Sequence, residues 1–322
     1  MKKISLLIAS VVFCFAANAK IWRVNNTGLP SDFKTLQAAN DSASVSAGDT
    51  VHLESSQNSY GNLTATKRLI ILGTGYFLNQ NLNNQQDQRG ATVGTLTFNV
   101  GSEGTVVSGL NITTFNFQTS NISAVRNYIG NVYIYTTAGG YSNVSIIQNY
   151  VAGTITYGGY VQGSYSNVVI SNNYVGSGIS YPAIFSTVIV NNVIGGNNAG
   201  ISVYNSNLQN NIVNATITIN SGNNISYNIC GSAAALPATN LTSVNIANLF
   251  VTSGTTDGIW QLASASLAKG AGAAGADCGM YGGPNPYKIS GMPAIPSIYY
   301  LSAPVSTNSN TLPVVISVKS NN

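Results

Sequence analysis

An Asn followed by two apolar residues returns through the middle of the chain as Asn127-Tyr128-Ile129, Asn149-Tyr150-Val151, Asn173-Tyr174-Val175, Asn192-Val193-Ile194, Asn211-Ile212-Val213, Asn228-Ile229-Cys230 and Asn248-Leu249-Phe250. Successive spacings are 22, 24, 19, 19, 17 and 20 residues. A self-similar period of about 20 residues is the signature of a solenoid. A short apolar stretch, such as Val144 to Ile147 or Val168 to Ile170, precedes most triplets. A small-residue turn follows at Gly130, Gly153, Gly176 or Gly195, and then a second short strand.

Segments this short are not ordinary helices, and no 3.6-residue periodicity is sustained through the region. A sandwich would alternate hairpins with defined tight turns, whereas here one template returns at one period. The pattern predicts an all-β chain folded as a right-handed parallel β-helix. Eleven or twelve coils about 4.8 Å apart would make a rod of roughly 50 Å. The recurrent Asn has a mechanical role in such a fold: its side chain bonds backbone locally at a turn, tolerates the left-handed region, and stacks with its equivalents as an amide ladder.

Composition agrees with this reading. Charged residues are 6% of the chain, against about a quarter in ordinary globular domains. Asn, Ser, Thr, Gly and Tyr take their place, residue types that suit pleated surfaces and turns.

The two ends carry a resemblance. Ser31-Asp32-Phe33-Lys34-Thr35-Leu36-Gln37-Ala38-Ala39, followed by Ala47-Gly48-Asp49-Thr50-Val51, resembles the entry of pectate-lyase-like right-handed β-helix proteins. The resemblance implies a short amphipathic helix plugging the open end, with Ser31 as its N-cap and Phe33, Leu36 and Ala39 facing the core. The stretch from Leu262 to Gly272, with Gly275-Ala276-Asp277-Cys278-Gly279, is similar to the closing coil of exported bacterial β-helix proteins. These motifs specify architecture and not activity.

Residues 1–19 have the layout of a secretory signal: Lys2 and Lys3, an apolar run from Ile4 to Ala16, and a small-x-small site at Ala17-Asn18-Ala19. Cleavage after Ala19 and a secreted or cell-surface location are expected. Phe13 before Cys14 argues against a lipidated cysteine, and no later segment is a transmembrane candidate. The β-helix is expected over 20–283. From Pro284 to residue 322 the period breaks, and two short strands, Ser297 to Leu301 and Pro313 to Val318, read as a C-terminal cap or an attachment tail. Cys230 and Cys278 read as two separately buried thiols, with a single bridge as the alternative.

Chemistry is thinly provided. Without Lys2 and Lys3, ten basic residues face eight acidic ones, a balance too even and too scattered for nucleic acid. Glycoside hydrolysis needs a carboxyl pair, and lyase chemistry on uronic acids needs a base with a cation for the substrate carboxylate. Between Gly104 and Thr256 there is no Asp, Glu, His or Lys, and one Arg, Arg126. The first coils hold His52, Glu54, Lys67, Arg68, Asp87, Arg89 and Glu103, so an enzyme would have to work there, around Asp87. Asp257 and Asp277 read as turn or cap residues. No cofactor motif and no metal-ligand spacing is present.

Aligning the strands after each Gly turn places Tyr133, Thr156, Ser180, Ser202 and Thr218 at equivalent outward positions, each beside an inward Val132, Ile155, Ile179, Ile201 or Ile217. Tyr135, Tyr160, Tyr165 and Tyr204 are expected nearby as stacking faces. A column of hydroxyls with aromatic faces suits an extended polysaccharide. Its mixed chemistry argues against ice. The expectation is a noncatalytic β-helix that binds glycan or serves as a surface component, with a polysaccharide-degrading enzyme as the alternative.

Overall fold

Each strand turns apolar side chains inward at every second position, and each turn of chain buries them against equivalents above and below. The computed structural model describes residues 19–135, 140–159, 163–182, 185–306 and 310–321. Apart from Ala19, the expected signal lies outside the described residues. The chain is an all-β parallel solenoid with a small antiparallel sheet at its C-terminus. One side is a sheet of ten parallel strands, from Ile21–Val24, Thr50–Leu53, Ile70–Leu72 and Val106–Ser108 through to Asn207–Gln209 and Asn224–Ser226. A second sheet contains the long strands Thr92–Phe98, Asn111–Phe117 and Tyr128–Tyr135. It then forks into one branch beginning with Tyr150–Val151 and another beginning with Thr154–Gly158.

Ten stacked strands enclose nine turns, a rod of about 43 Å at the usual strand spacing. The coil number is therefore smaller than the eleven or twelve expected. Residues 73–91 add length without adding a rung to the first sheet, and Asn248 belongs to a 3-10 helix, Ile246–Leu249. The short helix Leu36–Asp41 is present and buries Leu36 and Ala39. Its N-cap is Thr35 and not Ser31: the Thr35 hydroxyl accepts from Ala38 N at 3.1 Å, while the Ser31 hydroxyl donates to Phe33 O at 2.9 Å.

Asn127, Asn149, Asn173, Asn192, Asn211 and Asn228 are wholly buried and joined from coil to coil. Asn149 shows the pattern: its Nδ2 donates to Asn173 Oδ1 at 3.1 Å and to Ala124 O at 2.8 Å. Its Oδ1 accepts from the backbone N and the Nδ2 of Asn127, at 2.9 and 3.1 Å. Both ends of each amide are thus satisfied without water, which is what permits their burial. Asn240 closes the series, with its Oδ1 accepting from Asn228 N at 2.9 Å.

The left-handed residue at this turn is the one before the ladder Asn. Arg126, Gln148, Asn172, Asn191, Asn210 and Tyr227 all have φ between 54° and 58°, a region costly for most side chains and mildest for Asn. The strain is offset by what these residues hold. Asn172 Nδ2 donates to Gly282 O at 2.7 Å and Gln148 Nε2 to Pro286 O at 2.7 Å. One Arg126 NH group reaches Met292 O at 3.1 Å and Asn321 O at 2.9 Å.

Those contacts define a return segment. After the last rung the chain runs back outside the solenoid, passing Asn210 near residue 273, Asn191 near 277, Gln148 near 286 and Gly109 at Pro293. It covers a second apolar cluster in which Tyr150, Tyr174, Val193, Ile212 and Ile229 meet Phe250, Met280 and Tyr287. In the six triplets from Asn127 to Asn228, then, the second apolar residue faces the solenoid core and the first faces this strap. The stretch from Leu262 to Gly279 accordingly forms turns and 3-10 elements along the flank instead of a closing coil. Asp257, wholly buried, secures it: its carboxylate accepts from Ser290 N at 2.6 Å, Thr255 Oγ1 at 3.0 Å and Tyr287 OH at 3.2 Å. Cys230 and Cys278 are unbridged and buried in different clusters. Burial pushes their thiols up to about 11 and about 12.

The terminal strands Ser297–Ser302 and Val315–Lys319 pair antiparallel. They sit beside the first coils, where Lys319 Nζ donates to Asn83 O at 2.7 Å and Ser297 Oγ to Asn84 O at 2.9 Å.

Removing the Asn173 side chain leaves Asn149 N and Nδ2 without their acceptor and Ile146 O without a donor, all in the preceding coil. Asn173→Ala is expected to destabilise the chain by about 1–3 kcal/mol, read as a lowered denaturation midpoint at unchanged m-value. An unchanged midpoint in Asn149→Ala, Asn173→Ala and Asn192→Ala alike would remove the ladder as a source of stability.

Candidate functional site

Two features stand out: a long uncharged strip and a cleft holding most of the chain's clustered charge. In the strip, strand register pairs Tyr133 with Thr156, Thr156 with Ser180, and Ser180 with Ser202. The bridge between Ile201 and Ile217 brings Thr218 alongside. The inward neighbours Val132, Ile155, Ile179, Ile201 and Ile217 are buried. Ser180 and Thr218 are exposed, and Tyr133, Thr156 and Ser202 half-exposed.

The column is longer than the five residues read from the sequence. Asn116, itself buried, pairs with Tyr133, Thr97 with Asn116, and Thr64 with Thr97. Eight rungs from Thr64 to Thr218 extend about 34 Å. A second column runs beside part of it, with Thr95 paired to Thr114 and Thr114 to Asn131. Asn131 Oδ1 accepts from Thr154 N at 3.2 Å. The alternation in Thr95-Leu96-Thr97 and Thr114-Phe115-Asn116 is the signal that would have added these rungs.

The expected aromatic neighbours divide. Tyr135 is half-exposed, its ring 6.4 Å from that of Tyr133. It lies over Gly158, where an added Cβ would come within 2.6 Å of the ring; a residue other than Gly would displace it. Tyr204 is also half-exposed. Tyr165 is buried in the core, its hydroxyl donating to Tyr135 O at 2.5 Å, so it offers no outer face. Tyr160 lies outside the described residues.

The cleft, about 490 Å³, opens where the return segment meets the first coils. His52, Glu54, Asp87, Arg89 and Thr74 line one wall, and Pro293, Pro296, Ile298 and Leu301 the other. The other charges of the first coils serve different tasks. Lys67 Nζ donates to Ser42 O and Val45 O at 2.8 and 2.7 Å. Glu103 accepts from Gly101 N at 2.8 Å and from the Thr119 hydroxyl, and the Arg68 side chain lies along Gly104.

Within the cleft the carboxylates are engaged. Asp87 accepts from Arg89 Nε at 2.9 Å and from its terminal nitrogen at 2.6 Å. That pairing holds the Asp87 carboxyl below the usual range. Burial acts to raise Glu54, but hydrogen bonds from Arg23 at 2.5 Å and Asn25 at 2.7 Å outweigh it, so Glu54 also lies below its ordinary value. Burial pushes the His52 imidazole below its ordinary value, partly opposed by the Glu54 carboxylate. A hydrolytic acid requires a carboxyl raised toward neutrality; both of these move the other way. Among the described residues no three His, Cys, Asp or Glu side chains form a metal-binding group.

Compared with known protein families, with curated proteins and with solved structures, the chain matches none.

Carboxylates held ionised by Arg partners make poor proton donors. Incubation with pectins, alginates and other uronans is expected to release neither reducing ends nor unsaturated products. Release that disappears in Asp87→Ala would make the cleft an active site.

Proposed function

We propose that this chain is an exported, noncatalytic β-helix protein, pectate-lyase-like in its N-terminal motif, that holds an extended neutral polysaccharide along the strip from Thr64 to Thr218. The observation that carries the reading is the register of the strip: uncharged hydroxyl and phenol side chains repeat on successive rungs, interrupted by the buried Asn116. Their backbone is fixed by continuous ladders, so a chain laid along them meets groups that are already ordered. Binding to a preorganised surface avoids much of the entropic cost of association. Tyr133 and Tyr135 add faces for the C–H side of a sugar ring.

A second reading places a polysaccharide-degrading site in the cleft. It draws on the approach of His52, Glu54, Asp87 and Arg89 to one cavity, and the engaged state of both carboxylates weighs against it. A purely structural role at the cell surface is the reading that remains if no glycan binds.

Affinity electrophoresis of the mature chain, residues 20–322, in gels containing neutral glycans tests the strip directly. Retardation is expected, and it should persist in moderate salt because no ion pair is involved. The double substitution Tyr133→Ala with Thr156→Ala should weaken binding about tenfold, roughly 1.4 kcal/mol. The melting temperature should hold, since both side chains stand outside the core. Retention abolished by salt, or unchanged in the double variant, would point away from the strip.

A further inference from the structure

The terminal hairpin carries an apolar surface that no described part of the chain covers. Tyr300, Leu301, Val315, Ile316 and Val318 are between 47% and 63% exposed. With Ile298, Val305, Leu312 and Val314, nine apolar residues of this short region are exposed. At about half exposure each, they present on the order of 800 Å² of surface, the amount one partner gives to a specific interface. Consecutive strand residues alternate faces, so this apolar surface is shared between the two sides of the hairpin and flanks its edge on both.

The two strands differ in what lies beside them. The outer edge of Ser297–Ser302 meets the coil insertion: Gln86 N donates to Ile298 O at 2.8 Å, and Leu301 N donates to Gln86 Oε1 at 3.1 Å. Val315–Lys319 pairs with Ser297–Ser302 and with no other strand, so its far edge is free among the described residues. Free edges are ordinarily guarded by charge, proline or a bulge. Here the sole charge from residue 297 to residue 319 is Lys319, and its ammonium is held by Asn83 O and Asn84 Oδ1. The register irregularity falls between Ile298 and Tyr300, near the start of the covered strand. Pro304 and Pro313 lie outside both strands. A two-stranded hairpin is also marginal by itself in water and gains from further strands.

We infer that two copies of this chain pair through Val315–Lys319, joining their hairpins into one four-stranded antiparallel sheet about a two-fold axis. Self-complementarity favours a second copy over an unrelated strand. Antiparallel pairing centred on Ser317 sets Ser317 against its own equivalent and Ile316 against Val318 on both sides of the axis. Such a contact is isologous and closed, so it stops at a dimer. Lys319 falls opposite Val315, at the margin of the contact, where its ammonium remains on Asn83 and Asn84.

Sedimentation equilibrium of the mature chain over micromolar concentrations is expected to give a dimer. Ile316→Lys should shift it to monomer at least tenfold more readily, with an unchanged melting temperature and circular dichroism because residue 316 is exposed. Ser317→Cys should form an intermolecular disulfide under mild oxidation, while the parent chain, whose two thiols are buried, should not. A monomer throughout the concentration range would overturn the proposal. So would a dimer that survives Ile316→Lys and fails to cross-link through residue 317, which would place the contact elsewhere. An Ile316→Lys chain that loses its fold leaves the cross-link to decide: no intermolecular disulfide in Ser317→Cys refutes the pairing.

Discussion

The buried amide ladder fixes the geometry on which the rest depends. A solenoid of short strands has few residues per rung to define register, and strands of two residues, such as Tyr150–Val151 or Ile212–Val213, have almost none. A one-residue slip would exchange inner and outer faces. Asn amides prevent it because each must meet an amide above and a carbonyl below, and a slipped coil would leave both buried and unpaired. The observed contacts meet that demand from Asn127 to Asn240. The register of the outward rungs in these coils, Tyr133 to Thr218 of the strip, follows from it.

The same turn links the solenoid to its strap. A left-handed residue precedes each ladder Asn from Asn127 to Asn228 and aims its side chain or carbonyl at the return segment, so the strained backbone recurs where the external covering is attached. The covering explains an otherwise odd feature of the repeat. Strand alternation calls for one apolar and one polar residue after the Asn, yet both are apolar. Tyr128, Tyr150 and Tyr174 stack along the flank, the last two with ring centroids 4.4 Å apart, and Trp260 from the strap continues the series 4.6 Å from Tyr174.

Much of the fold was legible because it repeats. The period, the ladder, the core positions and the five-residue column could be read by aligning the chain with itself. Features that occur once were not. Asn248 matches the triplet pattern but lies in a 3-10 turn, and Asn240, outside the pattern, ends the ladder. Tyr165 looks like a surface aromatic because its neighbours are polar, yet it fills the core at a coil corner. Thr35 is the cap and not Ser31 because the helix begins only at Leu36, which puts Ser31 beyond reach of its first turn. The strap does not read as a strap in the sequence: Leu262 to Gly279 resembles a last coil, and its path back along the rod is set by side chains such as Gln148 and Asn172 that look like ordinary turn residues. The doubled apolar residues were the available sign of a second covered face. For the candidate site, the column was visible in outline, while the meeting of His52, Glu54, Asp87 and Arg89 with Pro293 and Leu301 required the strap.

Native-state hydrogen exchange of the ladder residues tests this dependence most directly. The backbone amides of Asn127, Asn149, Asn173, Asn192 and Asn211 donate to buried side-chain oxygens of the next coil, so they should exchange only on global unfolding, among the slowest in the chain. They should also respond together when Asn173 is replaced. Exchange of these amides as fast as that of the exposed loops would show that the ladder does not hold the coils, and would leave the register of the strip without its physical basis.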